Sequence, residues 1–389
     1  MTPSTIDLYI GENKETLEAL EMEGQVDVVY IDPPYNTGKP IFLYDDKRVD
    51  WEDFIYERIR LAHPLMAENG VMLVSINDQE LHTLRVIMDR VFGKKNFIST
   101  LVWKSNGNSK SRFSRGGIDY VVAYAKDKKL APEWREKKEY ADEMMSIVSK
   151  AQGKGLSPQE AQTLLKAYLK KNHQIPKGLV SYSNVDEDYN AFTTASIVNN
   201  LYRPNLKYVV TDPATNREYP PPDNGWTISE AKFNELYRDG RIVFKGNRPR
   251  KKYLLKDTLY QRPYAHIEEM RSVGHYELER IIGKNKFKNP KNTGVLKKWI
   301  NIVSGYKKDA VVMDFFAGSG TTGQAVAELN HQDGGTRSCI LVTNNENNIA
   351  EDITIPRLTR VLSGDWDDNT IQHDKLPNQL RVYRKEGIV

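Results

Sequence analysis

Apolar runs of strand length alternate with amphipathic stretches of helix length through the first 127 residues. The run at 25–32 (QVDVVYID) is β-branched and stops at a double proline, which is typical of a buried parallel strand that ends abruptly. Further strands are predicted at 70–77, 97–104 and 120–126, and helices at 50–66 and 81–92. Repeated strand–helix units of this length predict an α/β fold with a doubly wound, mostly parallel sheet.

The alternation stops near residue 130 and resumes near residue 287. Residues 131–172 are charged and helical in pattern, and residues 204–263 are rich in Pro, Asn, Asp and aromatic residues. The second half of the pattern comprises a helix at 295–304, a strand at 310–314, a helix at 321–329 and a strand at 338–343. We therefore predict one sheet built from 1–129 and 281–389, interrupted by an inserted module at 130–280.

Composition narrows the class of protein. The 389 residues are 39% hydrophobic and 28% charged, which is the balance of a globular protein, and no apolar segment is long enough to cross a bilayer. The first twenty residues resemble neither a secretory signal nor a transit peptide, so we expect a cytoplasmic protein. Cys339 is the single cysteine and the seven histidines are scattered, so neither a disulfide framework nor a metal site is predicted.

Two stretches of the chain are basic and contain no acid, at 94–115 and 245–256. A stretch of this kind fits a solvated surface as well as a phosphate-binding one. The candidate phosphate contacts are Lys104, Lys110, Arg112, Arg115, Arg248, Arg250, Lys251 and Lys252.

A glycine-rich loop follows the strand at 310–314 and opens a helix. Glycines allow a tight turn and a close approach to a ligand, while the first helical N–H groups point at it. This geometry predicts a nucleotide-like cofactor, and a purely structural strand-to-helix turn is the alternative interpretation. The loop lacks the Gly-Lys-Ser/Thr of a phosphate-binding P-loop. The candidate cofactor residues of the loop are Asp314, Phe315, Phe316, Ala317, Gly318, Ser319, Gly320, Thr321 and Thr322. Glu346, beyond the next strand, is placed either to accept from ribose hydroxyls or to cap a helix.

Asp32, Pro33, Pro34 and Tyr35 directly follow the first predicted strand. Two prolines remove two N–H donors and leave carbonyls and the Asp32 carboxylate as acceptors, which suits an incoming amine. Tyr35 can stack on a planar ring held there. Acceptors that hold both N–H bonds of an aromatic amine make its lone pair available for attack on a methyl donor. A purely structural turn is the alternative interpretation.

The motifs DPPY, NPK, DFFAGSGTT and NNENN, in this order, resemble those of β-class DNA amino-methyltransferases, most closely the modification subunit of type III restriction-modification systems. The resemblance implies a Rossmann-like methyltransferase fold, S-adenosyl-L-methionine as cofactor, and catalytic roles for Asp32, Pro33, Pro34 and Tyr35. It also assigns Asn289 and Lys291 to the cofactor, and residues 225–253 to a target-recognition insert. Gly11-Glu12-Asn13 stands where the family more often has Gly-Asp-Asn.

The same resemblance predicts methyl transfer to the N6 amine of an adenine flipped out of double-stranded DNA, with the eight cations above on the flanking backbone. It further implies a homodimer and a restriction subunit as a possible partner. Asp rather than Ser at position 32 favours adenine, but an N4-cytosine enzyme, an RNA or protein amine as substrate, and an inactive DNA-binding partner stay open. Carbon-5 cytosine chemistry is not favoured, because Cys339 lacks the context of an attacking thiolate.

Overall fold

The computed structural model describes residues 4–38, 47–104, 117–368, 371–384 and 387–388. The strands of these residues are β1 (Thr5–Ile10), β2 (Val26–Ile31), β3 (Met66–Asn77), β4 (Phe97–Lys104), β5 (Ile118–Ala125), β6 (Glu136–Lys137), β7 (Asn184–Val185), β8 (Ala191–Ser196), β9 (Val210–Thr211), β10 (Glu218–Tyr219), β11 (Ile242–Lys245), β12 (Arg248–Leu254), β13 (Tyr260–Gln261), β14 (His266–Ile267), β15 (Val311–Asp314), β16 (Ser338–Thr343), β17 (Gln379–Arg384) and β18 (Gly387–Ile388). The helices are α1 (Asn13–Ala19), α2 (Trp51–Leu65), α3 (Leu81–Phe92), α4 (Ala141–Gly153), α5 (Pro158–Lys171), α6 (Lys177–Val180), α7 (Glu230–Arg238), α8 (Ser272–Ile282), α9 (Thr293–Val303), α10 (Thr321–Asp333) and α11 (Ile355–Ser363).

The chain divides into two compact units. The first comprises residues 1–134 and 263–389, and the second comprises residues 135–262. The predicted insert, 130–280, is wider at both ends than the second unit. Residues after 262 return to the first unit because β14 pairs in parallel with β4, and because Trp103 Nε1 donates a hydrogen bond to the Glu269 carbonyl at 2.8 Å.

The first unit is built on one ten-stranded sheet with the order β14-β4-β5-β3-β2-β15-β16-β1-β17-β18. Its neighbours pair in parallel except where β5 meets β3 and β4, and where β18 meets β17. The predicted doubly wound, mostly parallel α/β sheet is therefore confirmed. All six residues of β2 are buried, as expected of a central strand whose two faces are both covered.

The sheet contains strands that the sequence analysis did not predict. β1 lies between β16 and β17, with Leu8 opposite both Leu341 and Val382. The TIDLYI run of β1 is short and alternates buried with partly buried positions, which is a weaker signal than a continuous apolar run. β3 begins at Met66, four residues before the predicted start, because it follows α2 without a loop and pairs Met66 with Val26.

The second unit has two hydrophobic clusters of its own. In one, Met144 and Val148 of α4 pack with Leu165 of α5, within the region predicted to be helical. The other is built around Trp226 and Phe233, beside the four-stranded antiparallel sheet β11-β12-β8-β7. A pair of clusters of this size gives the unit a core that does not require the large sheet.

Among the described helices, none combines the length and the apolarity that a bilayer span needs. Within the described ranges, no three or more His, Cys, Asp or Glu side chains are grouped as metal ligands.

Candidate active site

One cavity of about 990 Å³ opens at the carboxyl ends of β2, β15 and β16. It brings together two motifs that lie far apart in the sequence, the DPPY turn after β2 and the glycine loop after β15. The sequence-predicted residues on its walls are Asp32, Pro33, Pro34, Tyr35, Asn289, Lys291, Asp314, Phe315, Phe316, Ala317, Gly318, Ser319, Thr321, Thr322 and Glu346. Gly320 is not among them. Its φ of 77° forms the turn at the start of α10, against Thr354 and Leu358.

The carbonyl of Pro34 in the DPPY turn has a partner within the fold. The Pro34 carbonyl accepts a hydrogen bond of 2.7 Å from Trp51 Nε1, which anchors the turn to the start of α2. This carbonyl is therefore used by the fold, although the sequence analysis counted it among the acceptors for a ligand. The Asp32 carboxylate, 27% exposed, faces the cavity.

Lys291 lies against the DPPY turn. Its Nζ is 2.9 Å from Asp32 Oδ1 and donates a hydrogen bond of 2.7 Å to the Tyr35 hydroxyl. Burial raises the pKa of Tyr35 well above its usual range, and the nearby Asp32 charge raises it further. Tyr35 therefore stays a neutral phenol at neutral pH, able to donate as well as to accept hydrogen bonds.

Asp314 is held by the glycine loop that follows it. Its Oδ1 accepts from the Phe316 N–H at 3.0 Å and its Oδ2 accepts from the Thr322 hydroxyl at 2.6 Å. Burial raises the pKa of Asp314 to about 7 against these two hydrogen bonds. The carboxyl group therefore closes the glycine loop on itself, and it also lies on the cavity wall.

A buried arginine lies beneath the same loop. Arg357 of α11 donates to the hydroxyls of Ser319 and Thr321 at 3.0 and 2.7 Å, and to Gln324 Oε1 at 2.8 Å. Burial lowers the pKa of Arg357 to about 10, opposed by the charge of Glu277. These contacts fix two hydroxyl side chains at the beginning of α10, and the sequence analysis did not identify this residue.

The segment Gly11-Glu12-Asn13 also lines the cavity. The Asn13 amide donates to the Phe315 carbonyl at 2.9 Å, which ties the start of α1 to the glycine loop. Arg58 of α2 donates to Asn13 and lies 3.7 Å from the Glu12 carboxylate. The segment thus supports the loop directly, whatever else it binds.

Helix α8 fixes the position of Lys291 through a glycine. A Cβ atom at Gly274 would meet the Lys291 carbonyl group, 2.7 Å from its carbon, so α8 can approach this segment only because residue 274 has no side chain. Asn292 then caps α9 by accepting from the Val295 N–H at 3.3 Å, and its amide donates to the Met270 carbonyl.

The candidate phosphate contacts occupy varied environments. Lys110, Arg112 and Arg115 lie outside the described residues, and Lys104 is exposed at the end of β4. Lys252 forms an ion pair of 3.0 Å with Asp186, and both side chains are largely buried. The Lys252 charge is therefore already paired with a carboxylate of the insert, which weakens the prediction that Lys252 contacts phosphate.

The other insert cations lie on β12. Arg248 is exposed, and Lys251 Nζ lies 4.8 Å from the Tyr253 ring centroid. Arg250 donates to the hydroxyl and carbonyl of Thr194. A second cavity, of about 740 Å³, adjoins this strand and is lined by Ser196, Val198, Asn200, Thr227, Asn247, Arg248, Pro249 and Arg250.

A protein-family model and several known proteins match most of this chain. A family model described as DNA methylase matches residues 26–353. The chain is 28% identical to the StyLTI Mod subunit, a type III restriction-modification enzyme of Salmonella typhimurium, over 90% of this chain and 56% of that protein. It is 27% identical to the type II methyltransferase M.KpnI of Klebsiella pneumoniae, over 91% of this chain and 87% of that protein. The chain spans little more than half the length of the type III relatives that it matches.

Two solved structures are similar to the chain over most of its length. The complex of M1.HpyAVI with SAM is similar to the chain with a TM-score of 0.43 and 13% identity, over 92% of this chain and 99% of that one. For the cytosine-N4-specific PvuII DNA methyltransferase the TM-score is 0.41 and the identity 12%, over 93% of this chain and 94% of that one.

Replacement of Gly274 by alanine tests the approach of α8 to Lys291. Alanine normally stabilises a helix by about 1 kcal/mol relative to glycine, whereas the new Cβ here would displace the Lys291 backbone. We expect Gly274→Ala to lower the melting temperature, while Gly178→Ala, at a helical glycine with open space around it, does not. Equal or higher stability of Gly274→Ala in calorimetry would show that the contact is not tight.

The raised pKa of Asp314 predicts a pH-dependent stability. Between about pH 4 and pH 7 the folded protein retains a proton that the unfolded chain has lost, so the free energy of unfolding falls as the pH rises through this window. Asp314→Asn removes this titration. Urea unfolding across the window is expected to show a steeper decline for the natural protein, by on the order of a few kcal/mol. Parallel curves for the two proteins would contradict the assignment.

Proposed function

The chain belongs to the DNA methylase family whose model spans residues 26–353, and from that premise we propose that it transfers a methyl group from S-adenosyl-L-methionine to the N6 amine of an adenine in double-stranded DNA. The observation that carries the proposal is the shared cavity. The amine-accepting turn at Asp32 and the glycine loop at 314–322 line the same space of about 990 Å³, at the upper end of the range for a ligand pocket.

The residues around the glycine loop fit the proposed cofactor. When bound, S-adenosyl-L-methionine supplies a methyl group on a positively charged sulfur. Glu346 is exposed at the cavity wall and presents a carboxylate for hydroxyl donors. Gly318 has a φ of 48° and lacks a side chain, and its carbonyl is fixed by the Thr354 hydroxyl at 2.6 Å, so the backbone can approach a ligand closely.

The DPPY turn supports the chemistry at the amine. The Asp32 carboxylate accepts an N–H bond of the exocyclic amine, which leaves the nitrogen lone pair free for attack on the methyl carbon. A cofactor held at the glycine loop would supply the methyl group with its sulfur as the leaving atom, and the amine nitrogen would release one proton to water. Tyr35 stacks on the base, and its neutral hydroxyl can maintain contact with Asp32.

The target base must leave the duplex before it can reach this cavity. Flipping it out costs a few kcal/mol, which contacts to the flanking backbone must offset. We propose that Arg248 and Lys251 of β12, together with Lys104, supply phosphate contacts, and that Asn200 and Asn247 of the second cavity read base edges. The paired Lys252 is the weakest of the insert candidates.

The proposed partners are double-stranded DNA, a second copy of the chain, and a restriction subunit. Support for the restriction subunit comes from the type III Mod subunits that the chain resembles over about 56% of their length. The homodimer is inferred from the resemblance to β-class enzymes. Activity on genomic DNA of a bacterium would place the protein in the cytoplasm.

The proposed chemistry is tested by replacement of Asp32. We expect Asp32→Ala to reduce tritium transfer from labelled cofactor to mixed-sequence duplex DNA by roughly 10²–10³-fold, because an acceptor at the reacting amine is lost. Asp53→Ala, at an exposed position of α2, should leave the rate unchanged. Nucleoside analysis should find the label in N6-methyladenine. Label in N4-methylcytosine would favour the alternative enzyme, and no transfer despite cofactor binding would favour an inactive DNA-binding partner.

The proposed phosphate contact of Arg248 predicts a change in salt dependence. We expect Arg248→Ala to reduce the slope of log K against log salt by about 1, because one fewer phosphate is neutralised. Lys154→Ala, at an exposed lysine of the same insert far from β12 in sequence, serves as the control. Duplex binding measured by fluorescence anisotropy at several salt concentrations provides the slopes, and identical slopes for all three proteins would exclude Arg248 as a phosphate contact.

A further inference from the structure

The ammonium group of Lys291 occupies hydrogen-bonding positions next to the amine acceptor. It lies 2.9 Å from Asp32 Oδ1 and 2.7 Å from the Tyr35 hydroxyl oxygen, and only 11% of its side chain is exposed. Asp32 Oδ1 is itself buried, and its contact with Lys291 is an ion pair rather than a directed hydrogen bond. One cation thus contacts the two polar side chains of the DPPY turn at once.

The backbone around Lys291 is fixed from several sides. Asn289 adopts a left-handed conformation with φ of 60°. Helix α8 lies so close to the Lys291 carbonyl that only a glycine fits at position 274, and the Asn292 amide donates a hydrogen bond to the Met270 carbonyl. A left-handed asparagine costs little strain but sets the direction of the chain. The fold therefore delivers the Lys291 side chain to the DPPY turn from a constrained segment.

We propose that Lys291 is a positioning residue for the amine-accepting Asp32, and not a ligand of the cofactor as the sequence motif suggested. The proposal rests on the proposed function. With Oδ1 paired with the ammonium group and the Tyr35 hydroxyl in contact with the same carboxylate, the carboxylate is held in one orientation from which it accepts the N–H bond of the target amine. The contact with Tyr35 fixes the ring that stacks on the base in the same arrangement.

The ion pair with Lys291 offsets the negative charge of the acidic groups near Asp32. Asp32 interacts electrostatically with Tyr30 and Tyr35, from β2 and its turn, and with Asp314 of β15, while Asp119 of β5 acts on the same two tyrosines. Two of them are acids, and the Asp119 carboxylate is paired with Arg271. Removal of Lys291 would leave the Asp32 carboxylate without its cationic partner beside the buried Asp314 while a base excludes water from the cavity, which is an unfavourable arrangement.

Chemical rescue separates this role from cofactor binding. In Lys291→Ala we expect kcat to fall about 100-fold while the KM for S-adenosylmethionine changes no more than about threefold, because the loss affects the reacting amine. Ethylammonium chloride should restore roughly a tenth or more of the natural kcat by filling the vacated position, and potassium chloride at equal ionic strength should not. Lys291→Arg, which keeps the charge, should retain more activity than Lys291→Ala. A raised KM with unchanged kcat, or no rescue, would overturn the proposal.

A second measurement uses the protein alone and is independent of methyl transfer. Melting temperatures of Lys291→Met, Asp32→Asn and the double variant form a double-mutant cycle without cofactor or DNA. If Lys291 holds Asp32, the two single losses should sum to more than the loss in the double variant, whereas Lys284→Met, at an exposed lysine, should be additive with Asp32→Asn. Additivity for Lys291 would overturn the positioning role. If the cycle is non-additive but the protein methylates no DNA, the coupling between Lys291 and Asp32 is confirmed and the proposed function is wrong.

Discussion

Strands β2 and β15 pair in parallel in the middle of the large sheet, with Val28 opposite Val312 and Val29 opposite Met313. Parallel strands in register end at the same edge, so the DPPY turn and the glycine loop emerge side by side. Asp27 strengthens this register, because its buried carboxylate accepts from the Val311 N–H and from Lys307 Nζ, each at 2.9 Å. The cavity that the two motifs share depends on this pairing of two distant segments.

Several polar side chains of the site form hydrogen bonds or ion pairs with other residues of the chain, which restrict their positions. Asp314 closes the glycine loop, Arg357 supports it from below, and Lys291 holds the DPPY turn. Each is a buried or largely buried charge, which costs desolvation energy unless partners satisfy it. The raised pKa of Asp314 and the lowered pKa of Arg357 are signs of that cost. Such groups are held in one geometry before any ligand binds, which is how an enzyme stabilises developing charge.

The sequence predicted the core strands because burial on both faces leaves a continuous apolar run, as in β2. It also predicted which two turns line the cavity, since motifs at carboxyl strand ends lie at one edge of a parallel sheet. The supporting residues were missed for a physical reason. Arg357 lies on an amphipathic helix, where its sequence neighbourhood resembles a solvated face, and Gly274 is recognisable only as an unfavourable residue within a helical pattern. Their partners come from elsewhere in the chain, which local periodicity does not record.

The insert begins and ends with two short strands that pair with each other. Glu136 lies opposite Gln261 and Lys137 opposite Tyr260. A paired stem brings the ends of a long insertion close together, and the two internal clusters supply its own core. β4 and β5 precede the stem and β14 follows it, and all three belong to the same sheet. Changes within the insert that keep the stem therefore need not disturb the register of β2 and β15, on which the shared cavity depends.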